Sequence, residues 1–106
     1  MPKKTLGGIE IEVDEDGFIQ EPEKWNKEVA EDIAKEEADS LPMGEDHWNV
    51  VNYLRNYYLQ YDIAPPIRML TKQTGLELKY IYKLFPKGPA AGACKVAGLP
   101  KPTGCV

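Results

Sequence analysis

Ile9, Ile11 and Val13 alternate with Glu10 and Glu12, and after Asp14-Glu15-Asp16-Gly17 the apolar pair Phe18-Ile19 resumes. Period-two alternation around an acidic, glycine-ended turn predicts a β-hairpin within residues 6–20. Two strands do not stand alone in water, so Ile9, Ile11, Val13 and Phe18 need helices to lean on.

Glu21-Pro22 opens the next segment, and proline suits the first turn of a helix. Trp25, Val29 and Ile33 then recur at four-residue steps with Ala30 and Ala34 beside them. Glu28, Glu31, Asp32, Lys35 and Glu36 fall elsewhere, which is the pattern of an amphipathic helix with a solvated acidic face. It should stop near Asp39-Ser40-Leu41-Pro42, because a residue preceding proline avoids the helical conformation. A second helix is predicted from Glu45-Asp46 to about Tyr61. Trp48, Val51, Leu54 or Arg55, and Tyr58 track one side of it, and Val50, Tyr57 and Tyr61 widen the stripe. So broad an apolar surface places this helix centrally. His47, in its first turn, has no second ligand or nucleophile at a recognisable spacing and reads as structural.

Ala64-Pro65-Pro66 breaks the chain. Ile67 to Thr74 then forms a short helix ended by Gly75, and another follows from about Glu77 to Phe85. The spacing is that of a helix-turn-helix, with Lys79 and Lys83 on the second helix. That helix offers no arginine, asparagine or glutamine to read base edges, so a DNA-binding protein with redox-sensing cysteines is kept as the alternative reading.

Residues 22–85 thus form a helical core, and the character of the chain changes at Pro86. Residues 86–106 hold four prolines, four glycines, three lysines and no acid. With so little apolar bulk this segment is expected to be a flexible surface arm. From Gly98 to Cys105 it could extend by roughly 25 Å. The expected fold is one mainly α domain: a small helical bundle with a helix-turn-helix-like pair, an N-terminal β-hairpin and a flexible C-terminal arm.

The chain has 106 residues, 42% hydrophobic and 28% charged, which excludes general disorder and a multidomain enzyme. No apolar run reaches the ~18 residues of a membrane span, and the start has no secretory signal, so the expected location is cytoplasmic. The net charge of -4 conceals an asymmetry: residues 1–46 carry 15 acids and 5 bases, residues 47–106 carry 2 acids and 8 bases. The basic half suits an acidic protein surface or a phosphate backbone.

Both cysteines lie on the expected arm, Cys94 and the penultimate Cys105, 11 positions apart. Two cysteines and one distant histidine fall short of a structural zinc site. A disulfide closing this loop would contribute about 2.5–3 kcal/mol in the chain-entropy picture, but to a tail expected to hold no core. Reversible redox or sulfur chemistry is the other reading: the thiolate attacks, and Lys95 and Lys101 are candidate positive neighbours. Cys105 has access, and Cys94 is placed to attack whatever sulfur Cys105 acquires. From the residues alone, sulfur chemistry and two incidental thiols remain equally open.

Leu84-Phe85-Pro86-Lys87-Gly88-Pro89, Ala93-Cys94 and the terminal Ala97-Gly98-Leu99-Pro100-Lys101-Pro102-Thr103-Gly104-Cys105-Val106 resemble the DsrC/TusE family, and the resemblance extends over nearly the whole chain. TusE-like members usually lack the earlier cysteine, so the presence of both matches the DsrC branch. The resemblance implies a sulfur carrier without turnover of its own, a protein co-substrate of dissimilatory sulfite reductase. Cys105 and Cys94 would be its catalytic pair: Cys105 would capture partly reduced sulfur and Cys94 would close a trisulfide or disulfide. The implied partners are the alpha and beta subunits of the reductase and a membrane-bound trisulfide-reducing complex. Sirohaem and the iron-sulfur cluster would belong to the reductase, with no cofactor or metal on this chain. Arg68, Lys79, Lys83, Lys87, Lys95 and Lys101 are the candidate docking residues.

Overall fold

Strands β1 (Lys3–Leu6) and β2 (Ile9–Glu12) pair antiparallel in a computed structural model that describes residues 2–38 and 43–100. Gly7 and Gly8 join them at φ of 60° and 79°, a two-residue turn whose twist matches the hairpin and which a Cβ resists. Gly7 also fastens the hairpin to the helices. Its N–H donates to Asp32 Oδ2 at 2.6 Å, and an added Cβ would lie 2.9 Å from the backbone nitrogen of Val29.

The hairpin therefore sits earlier than the alternation suggests. The strand at Ile9 is real, but its partner lies upstream, and the expected pairing with Phe18-Ile19 is reduced to one bridge, Val13 to Ile19. Between them Asp14 Oδ1 accepts from the N–H groups of Asp16 and Phe18, both at 2.9 Å, a local turn that returns the chain without a ladder. Leu6, Ile11, Val13, Phe18 and Ile19 are buried, while Ile9, at the turn, stays 38% exposed.

The helix expected from Pro22 is interrupted. Pro22–Lys24 makes a single 3₁₀ turn, Trp25 is extended, and Asn26 starts α1 (Lys27–Ile33) by accepting from the Val29 N–H at 2.9 Å. An asparagine cap satisfies one of the orphan donors of the first turn, which a helix running through Trp25 would not. The helix continues through Ala34–Ala38 in the wider π form. Val29, Ala30, Ile33 and Ala34 face inward, as their spacing requires.

Helix α2 (Glu45–Tyr61) buries Val50, Val51 and Leu54, and Asp62 ends it in the left-handed conformation at φ 61°. His47 fixes its start: Nδ1 accepts from the Gly44 N–H at 3.1 Å and Nε2 lies 3.0 Å from the carbonyl of Leu84. With Nδ1 accepting, Nε2 is the nitrogen that donates, to the carbonyl of Leu84. Helices α3 (Ile67–Thr74) and α4 (Leu78–Leu84) follow, joined across Gly75, and contribute Leu70, Ile81 and Leu84 to the core.

The segment after Pro86 differs most from expectation. Pro89–Cys94 forms α5, π-wound, and Lys95 and Val96 continue it as α-helix. It packs against α2 and the π-wound end of α1. Ala93, Cys94, Val96, Ala97 and Leu99 are completely buried. The small residues that argued for a mobile arm instead allow close approach: a Cβ on Gly92 would come within 3.1 Å of Phe85 Cβ. Residues 86–100 are thus body rather than arm. Lys101 and Cys105 lie outside the described residues, as does the expected helix stop at Asp39-Ser40-Leu41-Pro42. No helix among the described residues is long and apolar enough to cross a membrane.

Candidate functional site

The C-terminal turn of α5 carries Cys94 and is the point from which the chain proceeds towards Cys105. Helix α5 ends in a Schellman motif, with Gly98 at φ 75°. Its N–H donates to the carbonyl of Lys95 at 3.1 Å, and the Leu99 N–H donates to the carbonyl of Cys94 at 3.1 Å. The carbonyls beyond are capped from other elements. Trp25 Nε1 donates to the carbonyl of Val96 at 2.8 Å, and Arg55 donates to those of Ala97 and Gly98 at 3.3 and 3.4 Å. All five carbonyls from Cys94 to Gly98 are therefore satisfied, two by the turn itself and three by side chains distant in sequence.

Arg55 and Trp25 support one another. The guanidinium lies 4.7 Å from the centroid of the indole ring and also donates to the carbonyl of Pro22. Burial draws the pKa of Arg55 down, with Tyr58 and Glu23 opposing. A cation at this end of α5 also complements the partial negative charge of its carbonyls. Gly98 allows the approach, since a Cβ there would stand 2.3 Å from Trp25 Cδ1.

Cys94 is free and fully buried, and burial pushes its thiol up to about 12. The thiol form dominates at neutral pH, so Cys94 in this conformation is a poor nucleophile. Lys95 corrects one expectation. It is only 6% exposed, and its ammonium lies 4.9 Å above the Phe18 ring, so it is no surface docking residue. Arg68, Lys79, Lys83 and Lys87 are all exposed, as a docking role requires, and Lys72 on α3 is exposed too. Leu78, Tyr80 and Tyr82 lie exposed on α4 among these cations. Tyr80 donates to Asp46 Oδ2 at 2.6 Å. No group of three or more His, Cys, Asp or Glu among the described residues could hold a metal ion.

Sequence reasoning placed Trp25 and Arg55 on helix stripes and missed what they do. The available signal was a glycine, Gly98, just beyond a cysteine-bearing segment, since a glycine there announces a helix terminus needing external caps.

A small helical domain with an N-terminal hairpin, a buried cysteine in its last helix and a second cysteine as the penultimate residue defines a small thiol-bearing protein. The chain belongs to the DsrC like protein family, which matches residues 5–106. It is 47% identical to the dissimilatory-type sulfite reductase subunit gamma of Nitratidesulfovibrio vulgaris, over the full length of both. It is 42% identical to the sulfurtransferase TusE of Escherichia coli strain K12, covering 93% of this chain and 95% of that protein. Among solved structures it resembles the oxidised gamma-subunit of the dissimilatory sulfite reductase from Archaeoglobus fulgidus. The TM-score is 0.87 at 48% identity, covering 99% of this chain and 100% of that one. It also matches a crystal structure of dissimilatory sulfite reductase I, with a TM-score of 0.88 at 43% identity, covering 99% of this chain and 100% of that one.

Proposed function

We propose that this chain is a sulfur-carrier protein of dissimilatory sulfur metabolism, a co-substrate of dissimilatory sulfite reductase rather than a stand-alone enzyme. The observation that carries the reading is full-length similarity to a reductase gamma subunit in a chain that has both Cys94 and Cys105. The similarity to TusE sulfurtransferases points to the same general role. In this reading Cys105 accepts partly reduced sulfur and Cys94 closes the bridge. Two thiols, one sulfite and two electrons, with the protons required, give a trisulfide and water. In this reading the electrons would be supplied by the reductase, whose own sirohaem and iron-sulfur cluster would provide the redox chemistry, and a membrane-bound complex would reduce the trisulfide to sulfide and two thiols.

The exposed cations Arg68, Lys79, Lys83 and Lys87, beside the apolar surface of α4, form the proposed docking face for acidic groups of the reductase. Steered association of this kind weakens as salt rises.

The test is the non-reducing intact mass, with peptide mapping, after the reduced protein is incubated with sulfite, an electron donor and purified reductase. A species one sulfur heavier than the plain disulfide, linking Cys94 to Cys105 and reversed by reductant, is expected. Unmodified thiols while the reductase turns over would overturn the reading.

A further inference from the structure

We propose that Arg55 and Trp25 are positioning residues for the two-cysteine chemistry: by capping the last turn of α5 from two other elements, they keep Cys94 under cover. The inference rests on reading the cysteines as a carrier pair.

The clamp joins three parts of the chain. Trp25 comes from the extended residue before α1, Arg55 from the middle of α2, and the carbonyls of Val96, Ala97 and Gly98 from the end of α5. Every carbonyl from Cys94 to Gly98 has a donor, so opening that turn breaks several hydrogen bonds together. The Cys94 carbonyl belongs to the same turn through the Leu99 N–H, so the thiol and the clamp share one backbone segment. Gly98, whose added Cβ would collide with both Trp25 and Arg55, is where the chain turns away. Cys94 therefore reacts only when the α5 turn opens.

The cover over Cys94 is tested on the full-length Cys105→Ser protein, so that Cys94 is the sole thiol, using iodoacetamide. The Cys94 thiolate displaces iodide and the rate of mass gain reports its exposure. Alkylation is followed across low urea concentrations in this background and in variants that also carry Arg55→Lys or Trp25→Phe, with global stability measured on each. Arg55→Lys keeps the charge but loses the fork by which Nη1 serves the carbonyls of Ala97 and Gly98 while Nη2 serves that of Pro22, and Trp25→Phe keeps an aromatic ring but loses the donor. Each is expected to speed alkylation about tenfold or more, with little dependence on urea, the signature of local opening. A merely structural role predicts acceleration with the full urea dependence of global unfolding, and that outcome overturns the proposal. So does an unchanged rate in both variants. Because the assay contains no reductase, sulfite or Cys105, its failure and failure of the carrier reading are separate results.

Discussion

The indole Nε1–H of Trp25 donates to the carbonyl of Val96 at 2.8 Å, across 71 positions of sequence. This bond ties the segment entering the first helix to the turn that ends the last one. Replacing Trp25 by phenylalanine keeps most of the apolar contact and leaves a buried carbonyl without its donor. A loss of about 1–3 kcal/mol is expected. Urea denaturation checks it, with the midpoint falling and the slope unchanged.

Gly98→Ala places a Cβ where Trp25 Cδ1 stands 2.3 Å away, in a backbone conformation that already disfavours side chains. Strain and clash together are expected to cost at least ~1–2 kcal/mol. Gly75→Ala serves as the control. It has a similar φ but nothing within 4 Å of the added carbon, so it should lose less. Thermal melts of the two proteins make the comparison.

The Cys94 thiol supplies a pH dependence of defined sign. Its pKa in the fold is raised from 9.0 to about 12 by burial, so in this alkaline range the unfolded chain gives up a proton that the folded chain retains. The contribution is fully present below about pH 9 and is lost as pH rises towards 12. Tyr53, also raised by burial, acts in the same direction. The difference between wild type and Cys94→Ala isolates the thiol: between pH 8.5 and 10.5, stability should fall more steeply in wild type. Parallel curves would show that Cys94 is not buried as described.

His47 closes the Gly44 cap with one nitrogen and reaches the carbonyl of Leu84 with the other, while its ring meets Phe85 edge-on at 5.3 Å. His47→Ala removes all three contacts and is expected to cost about 2 kcal/mol. Amide exchange near Gly44 and in α4 should rise together, because one side chain serves both places.

The proposed docking face predicts a kinetic effect. Lys79→Glu with Lys83→Glu should slow association with the reductase at low salt and flatten its dependence on ionic strength, leaving the fold intact. Surface plasmon resonance at several salt concentrations measures it. Unchanged rates and salt dependence would remove these two residues from the interface.

The local elements were legible in the sequence because local rules govern them. The helix from Glu45 to Tyr61, and the break at Gly75 between α3 and α4, follow from apolar spacing and turn chemistry. The family resemblance and the two cysteines were also plain in the chain, and the family is confirmed. Tertiary structure decided what no local rule contains. Pairing of β2 with Lys3–Leu6 rather than Phe18-Ile19 depended on two glycines forming the tighter turn. Asn26 divided a continuous apolar stripe because a cap competes with helix continuation. The segment from Pro86 to Pro100 looked like an arm because its residues are small, and composition measures bulk rather than approach. In three dimensions smallness brings α5 against α2 and buries Cys94, while Trp25 and Arg55 come from elsewhere in the chain to satisfy the carbonyls at its end. Sequence thus determined where the two cysteines stand in the chain, and packing decided that Cys94 lies covered, because burial is a property of neighbours that the chain order does not specify.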